Sequence, residues 1–249
     1  MTTKFDQKPE IFVLGNGASL KDFDFKSLEG KCTIGCCKAY RHWEKIDWYP
    51  TFYVNVDNVV LKHHEEEIKQ LILNKKCTGY LLSRSIIEDW EDFDLKDEKY
   101  QTVFFLEDLR VNPFSLFKNV FNFCSGSVAG LFALDIGSKV NLLGFDCDYV
   151  ELIPECIEKE DGTLLITDTP EKNPNYYFDD YQRVGDLYNK PNGKTVHLRS
   201  WEELSFIMEF TTKMFGHEIP VTNYNDKQSI AEFIETKPLE DIFEILNSN

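Results

Sequence analysis

Residues 11–20 have the sequence Ile11-Phe-Val-Leu-Gly15-Asn16-Gly17-Ala-Ser19-Leu20. Four apolar residues before two glycines predict a short buried strand that ends in a tight loop, and Ser19 is a residue type that opens helices. Glycine tolerates φ > 0 and lets the backbone approach a ligand closely. Such a loop presents N–H groups to an anion, commonly a phosphate. Gly15, Asn16, Gly17 and Ser19 are therefore candidate phosphate contacts, and a purely structural turn is the alternative.

Strand-like and helix-like segments alternate along most of the chain. Short apolar segments predict further strands at residues 31–36, 51–56, 78–83, 101–106, 139–144 and 218–221. Amphipathic or apolar segments predict helices at residues 58–74, 127–136, 201–215 and 238–246. Such alternation is typical of an α/β fold, so we predict a Rossmann-like, doubly wound and mostly parallel sheet.

One segment, residues 150–195, interrupts this alternation. It is rich in acidic residues, Asn, Pro, Gly and Tyr, a composition typical of a long functional loop. We predict that it forms a lid insertion over the carboxyl edge of the sheet. Residues 1–249 are then expected to form a single α/β domain that carries this lid.

The composition narrows the class of protein. Hydrophobic residues make up 42% of the chain, enough for a full core. No apolar run approaches the roughly 20 residues of a membrane helix, and the amino terminus lacks the apolar stretch of a secretion signal. Seven cysteines without paired C-x-x-C spacing predict reduced thiols. We therefore expect a cytoplasmic protein without an integral membrane segment.

The net charge of −16, from 43 acidic and 27 basic residues, bears on the partners. A surface of this sign repels nucleic acid and anionic lipid, which argues against both as dedicated partners. It does not argue against a small anionic ligand, because a few local N–H groups outweigh a distant and diffuse field. The sequence does not determine the oligomeric state, and a homo-oligomer is one of the open alternatives.

Several polar residues follow the predicted strands, where ligands bind in doubly wound sheets. Asn55 follows the third strand, and Asp146 follows the strand at 139–144. The segment Ser125-Gly126-Ser127 leads into an apolar helix, so its N–H groups and hydroxyls form a second candidate anion site. An N-cap that binds no ligand is the alternative.

His197 is the sharpest catalytic candidate. It lies between the lid and the helix at 201–215, which Ser200 and Glu203 are predicted to open as a capping box. An imidazole with its pKa near 6.5 accepts a proton at neutral pH. A structural histidine that bonds to a nearby carbonyl is the alternative. We expect surface positions for the other histidines, His42, His63, His64 and His217.

Clustered tyrosines in the lid offer apolar faces and phenolic hydroxyls to a sugar or a phosphate. The candidates are Tyr176, Tyr177 and Tyr181, and aromatic packing under a long loop is the alternative. A polar loop near the carboxyl terminus contributes Asn225 and Ser229 as further candidates.

Two of these segments resemble the bacterial sialyltransferases of glycosyltransferase family 42. One is the Gly-Asn-Gly-x-Ser-Leu cassette at residues 15–20, and the other runs from the Ser125-Gly126 turn through the apolar helix to Gly144-Phe145-Asp146. The chain also resembles flagellin-glycosylation proteins and archaeal-type 6-hydroxymethylpterin diphosphokinases. The resemblance implies a GT-A-like, nucleotide-binding Rossmann variant.

The resemblance also implies roles for the candidates. The Gly15–Ser19 and Ser125–Ser127 turns would bind the phosphate and sugar of a donor, and Asp146 would bind the ribose. The loop with Asn225 and Ser229 would lie beside the nucleobase, and the lid tyrosines would hold the leaving phosphate. His197 would act as the general base.

The predicted function is that of an inverting glycosyltransferase, with a CMP-activated sialic-acid-like sugar as donor and a glycan or glycolipid as acceptor. No cofactor is expected. The alternative is a Mg²⁺-dependent diphosphokinase of the pterin type, for which Asp146 and Asp148 of a D-x-D motif, together with Asp57, would supply carboxylates. A nucleotide-binding module without catalysis is a third reading.

Overall fold

A long parallel sheet forms the centre of the computed structural model, which describes residues 8–91, 93–94, 96–111, 115–119, 123–150, 152–189, 193–216, 218–226 and 229–247. The strands are β1 Glu10–Leu14, β2 Cys32–Cys36, β3 Phe52–Asn55, β4 Gly79–Leu82, β5 Val103–Phe105, β6 Lys139–Leu143, β7 Cys156–Glu158, β8 Thr163–Ile166, β9 Leu187–Asn189, β10 Val221–Tyr224 and β11 Glu235–Lys237. The helices are α1 Tyr40–Ile46, α2 Asn58–His63, α3 Glu65–Leu73, α4 Arg84–Ile87, α5 Leu106–Val111, α6 Ser125–Ile136, α7 Gly193–Phe215 and α8 Ile242–Leu246.

The strand order of the large sheet is β11-β10-β6-β1-β2-β3-β4-β5, and every neighbouring pair is parallel. The chain builds outward from β1 to β5 and then returns to place β6 on the other side of β1. This reversal creates a crevice at the carboxyl ends of β1 and β6, where doubly wound folds bind ligands. The predicted α/β fold class is confirmed.

Both faces of the sheet are buried. In β1, Phe12 and Leu14 belong to one hydrophobic core, whereas Ile11 and Val13 belong to the core on the opposite face. Successive strand residues point to opposite faces, so a run of four apolar residues serves two cores at once. This explains why the apolar strands predicted from the sequence are continuous rather than alternating.

The turns after β1 and β6 touch each other through their backbones. The N–H of Gly15 donates to the carbonyl of Leu143 at 2.7 Å, and the N–H of Gly17 donates to the carbonyl of Gly144 at 2.9 Å. A Cβ atom built on Gly15 would lie 2.4 Å from the oxygen of Gly144. Glycine is therefore required at position 15 by close packing of main chains.

The lid contains a small sheet of its own. Strands β7, β8 and β9 pair in antiparallel fashion, around a minor core that includes Leu164 and Tyr188. The sequence predicted an insertion at residues 150–195 but no strands within it. The lid, defined from here on as the segment between β6 and α7, lies over the carboxyl edge of the large sheet.

The helix before the carboxyl-terminal strands begins earlier than predicted. Helix α7 starts at Gly193 rather than after Ser200, so the predicted capping box is wrong and His197 lies within the helix. The intervening residues include no proline or glycine, and Leu198, Trp201 and Leu204 pack into one core at helical spacing. That packing favours a continuous helix.

Other boundaries also differ from the sequence prediction. The helix predicted at 58–74 is divided into α2 and α3 at His64, whose backbone has the non-helical angles φ −119° and ψ 26°. The strand predicted at 218–221 is β10, which starts where the prediction ended, and β11 was missed. None of the helices in the described ranges is long and apolar enough to span a bilayer.

The contact between the two turns predicts the effect of Gly15→Ala. The new methyl group would overlap the Gly144 carbonyl, and backbone atoms cannot move aside as side chains do. We expect a loss of about 3 kcal/mol in the free energy of unfolding, measured by urea denaturation. Gly30→Ala is the control, because Gly30 has a positive φ but open space around it. That variant should lose only about 1 kcal/mol, and equal losses would contradict the close contact.

Candidate functional site

A cleft of about 690 Å³ opens at the carboxyl edge of the large sheet. Its walls come from the turns after β1, β2, β3 and β6, from the first turn of α6, from the lid and from α7. Among the sequence-predicted candidates, the cleft is lined by Gly15, Asn16, Ser125, Gly126, Tyr176, Tyr181 and His197. The structure therefore brings residues from distant parts of the sequence to the predicted edge.

Asn16 presents the clearest unused acceptor in the cleft. Its side chain is only 9% exposed, and its Nδ2 donates to the carbonyl of Cys36 at 3.2 Å and to the hydroxyl of Tyr181 at 3.3 Å. Its Oδ1 has no hydrogen-bond partner among the described residues. A buried acceptor without a partner is costly, so a ligand N–H or O–H donor would stabilise it.

The first turn of α6 supplies the candidate anion site. Its leading N–H groups have no acceptor within the helix, and the helix dipole favours negative charge there. The hydroxyl of Ser125 accepts from the N–H of Val56 at 3.0 Å, which fixes the turn against the end of β3. Ser127 is fully buried, and its hydroxyl donates to the carbonyl of Cys124 at 3.0 Å. Ser125 and Gly126 line the cleft, and Ser127 does not.

Two lid tyrosines form a stacked pair beside this turn. The ring centroids of Tyr176 and Tyr181 are 3.7 Å apart, with 13° between the ring planes. The lid reaches the β1 turn through the N–H of Tyr177, which donates to the carbonyl of Asn16 at 3.3 Å. The ring of Tyr177 itself packs 5.1 Å from that of Phe25 and lies outside the lining.

His197 lies against Cys124 and Tyr149. The ring centroids of His197 and Tyr149 are 4.7 Å apart, and the imidazole is hydrogen-bonded to the Cys124 thiol. Burial alone would lower the pKa of His197, but the hydrogen bond and charge of Cys124, helped by Asp57, outweigh it and raise that pKa. His197 therefore holds its proton to a higher pH than a free histidine does.

A buried ionic cluster, composed of Lys38, Arg41, His64 and Asp186 with the half-buried Glu67 at its edge, fastens the lid to the sheet domain. Arg41 binds the Asp186 carboxylate through two nitrogens, at 2.6 and 3.0 Å, and Lys38 binds it at 3.1 Å. Burial would raise the pKa of Asp186, but the hydrogen bond from Arg41 and the charge of Lys38 hold it well below its usual range.

The same cluster corrects the prediction that His64 lies on the surface. His64 is 4% exposed, and its Nδ1 lies 3.2 Å from an Arg41 nitrogen. Burial would raise the pKa of Glu67, but hydrogen bonds with His64 and Tyr40 and the charge of Arg41 lower it to about 2. Of the other histidines, His63 is exposed as expected and His42 is half-buried, while His217 lies outside the described residues.

The remaining candidates lie outside the lining of the cleft. Asp146 accepts hydrogen bonds from the N–H of Ser19, at 2.9 Å, and from its hydroxyl. Gly17 packs against the same carboxylate. Outside the lining are Gly17, Ser19, Asn55, Ser127, Asp146, Asp148, Tyr177, Asn225 and Ser229. Their predicted roles in binding stay predictions.

Three of these residues have polar partners that account for their positions. The Nδ2 of Asn55 donates to the hydroxyl of Tyr53 at 3.0 Å, and that of Asn225 donates to the carbonyl of Phe145 at 3.1 Å. Ser229 is exposed, and its hydroxyl donates to the carbonyl of Ala231. Asp148 is also exposed, and within the described ranges no three His, Cys, Asp or Glu side chains converge as a metal site.

Sequence reasoning missed Cys124 and Tyr149 as lining residues. Cys124 immediately precedes the Ser125-Gly126 turn, and Tyr149 follows the Asp146-Cys-Asp148 segment, so each adjoins a recognised motif. This adjacency was the signal in the sequence that could have identified Cys124 and Tyr149 as lining residues. The pairing of Cys124 with His197 could not be predicted, because it depends on where α7 begins.

Comparisons with known proteins agree with the fold. No protein-family model matches the sequence, and no curated protein is a significant match. A crystal structure of the sialyltransferase CST-II with a trisaccharide acceptor and CMP aligns over 96% of this chain and 88% of its own, with 18% identity and a TM-score of 0.47. A variant of that enzyme with CMP gives 97% and 88% coverage, 16% identity and a TM-score of 0.49.

The MAf glycosyltransferase from Magnetospirillum magneticum AMB-1 aligns over 95% of this chain, with 13% identity and a TM-score of 0.50. This chain spans 34% of the length of that protein. The likeness shows a shared fold, which is the fold that the sequence motifs implied.

The buried ionic cluster predicts the effect of Asp186→Asn. The substitution would leave Lys38 and Arg41 buried without their shared counter-charge, so we expect the free energy of unfolding at pH 7 to fall by about 3–5 kcal/mol. Glu171→Gln, an exposed change in the lid, is the control and should change it by less than about 0.5 kcal/mol. Chemical denaturation of the three proteins measures both effects.

The difference in unfolding free energy between wild type and Asp186→Asn should depend on pH, and the direction of that dependence follows from the lowered pKa of Asp186. Because the pKa of Asp186 is lower in the folded protein, its contribution is present above the unfolded aspartate pKa of about 3.9. It is lost as the pH falls below that value. The stability difference between wild type and Asp186→Asn should therefore shrink below pH 4. A difference that stayed constant with pH would contradict the ion pairing.

Proposed function

We propose that this protein is a glycosyltransferase that takes a sugar from a CMP-activated donor, of the sialic-acid-like or a related acidic class. The observation that carries the proposal is the convergence, in one cleft at the carboxyl edge, of a helix N-terminus, a stacked tyrosine pair and His197. The motifs that resemble family 42 supply two of these walls, and the fold is shared with a solved glycosyltransferase.

The cleft offers a suitable group for each part of the donor. The first turn of α6 would receive the phosphate through the N–H groups of Ser125 and Gly126. The phenols of Tyr176 and Tyr181 border the same space and would bind the leaving phosphate. The unpaired Oδ1 of Asn16 would accept a hydrogen bond from a sugar hydroxyl or a nucleobase amine. The overall charge of −16 is spread over the surface and does not oppose these local donors.

The reaction follows as a direct displacement. An acceptor hydroxyl oxygen attacks the anomeric carbon, the new C–O bond forms, and the bond from that carbon to the phosphate oxygen breaks. CMP leaves with the electron pair, and the proton of the hydroxyl passes to the imidazole of His197. Attack opposite to the leaving group inverts the configuration at the anomeric carbon. No cofactor is required in this scheme.

The rival diphosphokinase would need carboxylates that converge on Mg²⁺ in the cleft. Asp57 lines the cleft, but its Oδ1 already accepts from the N–H groups of Val59 and Val60, at 2.9 and 3.1 Å. Asp146 faces Ser19, and Asp148 is exposed. The positions of these carboxylates support glycosyl transfer over phosphoryl transfer.

Nucleotide binding separates the two functions. CMP should raise the melting temperature more than AMP, ADP or ATP does, with or without Mg²⁺. A ligand at a hundredfold excess over its Kd stabilises the fold by about 2.7 kcal/mol, which a thermal-shift assay resolves. Gly126→Ala tests whether nucleotide binding depends on the first turn of α6. The added Cβ would meet the Phe145 ring at 2.8 Å and disturb that turn. Stabilisation by adenine nucleotides alone would favour the kinase.

His197→Ala tests the general base. The proton moves only in the transition state, so donor affinity should be nearly intact, while kcat should fall by about 10²–10⁴-fold. Because the pKa of His197 is raised, the acidic limb of the wild-type kcat/KM profile should lie above the ordinary histidine value of about 6.5. That limb should vanish in the variant.

His63→Ala, at an exposed histidine of α2, is the matched control and should leave both parameters unchanged. Wild-type turnover by His197→Ala at saturating substrate would remove His197 from the mechanism. Nucleotide binding that is indifferent to His197, in a protein without turnover, would favour a binding module.

A further inference from the structure

Tyr181 is held by the sheet domain through both its backbone and its phenol. Its backbone carbonyl accepts a hydrogen bond from Nη1 of Arg41 at 3.2 Å. Its phenolic oxygen accepts from Nδ2 of Asn16 at 3.3 Å and from the backbone N–H of Lys38 at 3.4 Å. The side chain is buried, and its ring is stacked on that of Tyr176. The position of Tyr181 in the cleft is therefore set by contacts within the protein.

The hydrogen bonds at the phenol determine which way its proton points. The Cys36 carbonyl can only accept a hydrogen bond, so the atom of Asn16 that lies 3.2 Å from it is the amide nitrogen. The same nitrogen donates to the phenolic oxygen of Tyr181, and the backbone N–H of Lys38 is a donor in any case. Neither contact uses the hydroxyl proton, and no side chain or carbonyl among the described residues accepts it. Tyr181 therefore presents a hydrogen-bond donor to the cleft that it lines.

Arg41 connects this tyrosine to the buried ionic cluster. Nη1 of Arg41 donates to the Tyr181 carbonyl and also to Oδ2 of Asp186, at 2.6 Å, while Nη2 donates to Oδ1 of Asp186 at 3.0 Å. Asp186 in turn accepts from the N–H of Arg183, two residues after Tyr181, at 2.9 Å. A planar guanidinium holds several acceptors at fixed angles, which a lysine ammonium does not. One buried side chain of α1 therefore fixes the segment of the lid that carries Tyr181.

We propose that Arg41 is a positioning residue for the donor phosphate, because it fixes the Tyr181 backbone so that the phenolic O–H points at a phosphate oxygen of the bound nucleotide. This role rests on the proposed function, from which the ligand is taken. Phosphate oxygens accept hydrogen bonds, so a phenol that donates is the complementary group. Arg41 itself lies outside the lining of the cleft and acts through Tyr181.

The test compares the Kd of CMP with the Kd of cytidine, both measured by isothermal titration calorimetry. The two ligands differ by the phosphate, so the ratio of the Kd of cytidine to the Kd of CMP reports the contribution of the phosphate. Tyr181→Phe removes the donor and should lower this ratio by about 10- to 100-fold, the range for a hydrogen bond to a charged group. Arg41→Lys keeps the charge but loses the planar guanidinium. It should lower the ratio by about 3- to 10-fold, because a misaligned hydrogen bond is weaker.

A double variant separates positioning from a general effect on structure. In Tyr181→Phe, which lacks the phenolic hydroxyl, adding Arg41→Lys should lower the ratio no further, because the effect of Arg41 passes through that hydroxyl. Circular dichroism checks that each variant is folded. If Arg41→Lys is unfolded, Arg41→Gln takes its place with the same expected result.

Lys45→Gln is the matched control. Lys45 also lies on α1 and forms an ion pair with Asp180, the neighbour of Tyr181 in the lid. The Lys45 side chain is 50% exposed, and exposed ion pairs contribute little. Lys45→Gln should therefore leave the ratio of the two Kd values unchanged.

The outcomes distinguish this inference from the proposed function. An unchanged ratio in Tyr181→Phe or Arg41→Lys, a further loss in the double variant, or an equal loss in Lys45→Gln would overturn the positioning role. Each of these results leaves the proposed function in place, provided that the wild type binds CMP more tightly than cytidine. A wild type that does not bind CMP would overturn the proposed function and the positioning role with it.

Discussion

The structure depends on the close approach of the two backbone turns that follow β1 and β6. The oxygen of Gly144 lies where a Cβ atom on Gly15 would be, and the N–H of Gly17 donates to it at 2.9 Å. This contact joins the two halves of the sheet at the point where the chain reverses direction. It also uses the N–H groups of Gly15 and Gly17, so the glycine-rich turn shapes the cleft, while the first turn of α6 is the candidate anion site.

The lid is held over this site by two different interactions. Asn16 and Tyr181 join the lid to the β1 turn through a hydrogen bond inside the cleft. Asp186 joins it to Arg41 of α1 and to Lys38, which precedes α1, and all three side chains are buried. Because a buried ion pair is costly to separate, the fold itself holds the stacked tyrosines in place, and such preorganisation would reduce the ordering cost of binding the proposed donor.

Much of the fold and part of the site could be predicted from the sequence. The strand at 11–14 and the turn after it depend on local sequence, namely four apolar residues followed by two glycines. The sequence therefore predicted this strand, this turn and the edge of the sheet at which the cleft lies. The long-range contacts could not be predicted from the sequence. Asp146 bonds to Ser19, which lies 127 positions away, and the ring of Tyr177 packs against a core. The surface position expected for His64 was wrong, because His64 is buried beside Arg41. The Cys124–His197 pair required the true start of α7, which tertiary packing determines.

A crystal structure of the protein with CMP tests the central claim most directly. The account predicts that the CMP phosphate lies at the first turn of α6, within hydrogen-bond distance of the N–H groups of Ser125 or Gly126. It also predicts that the phenols of Tyr176 or Tyr181 border the phosphate, with His197 beside the space left for the sugar. CMP bound away from α6, or a cleft that stays empty at saturating CMP, would contradict it.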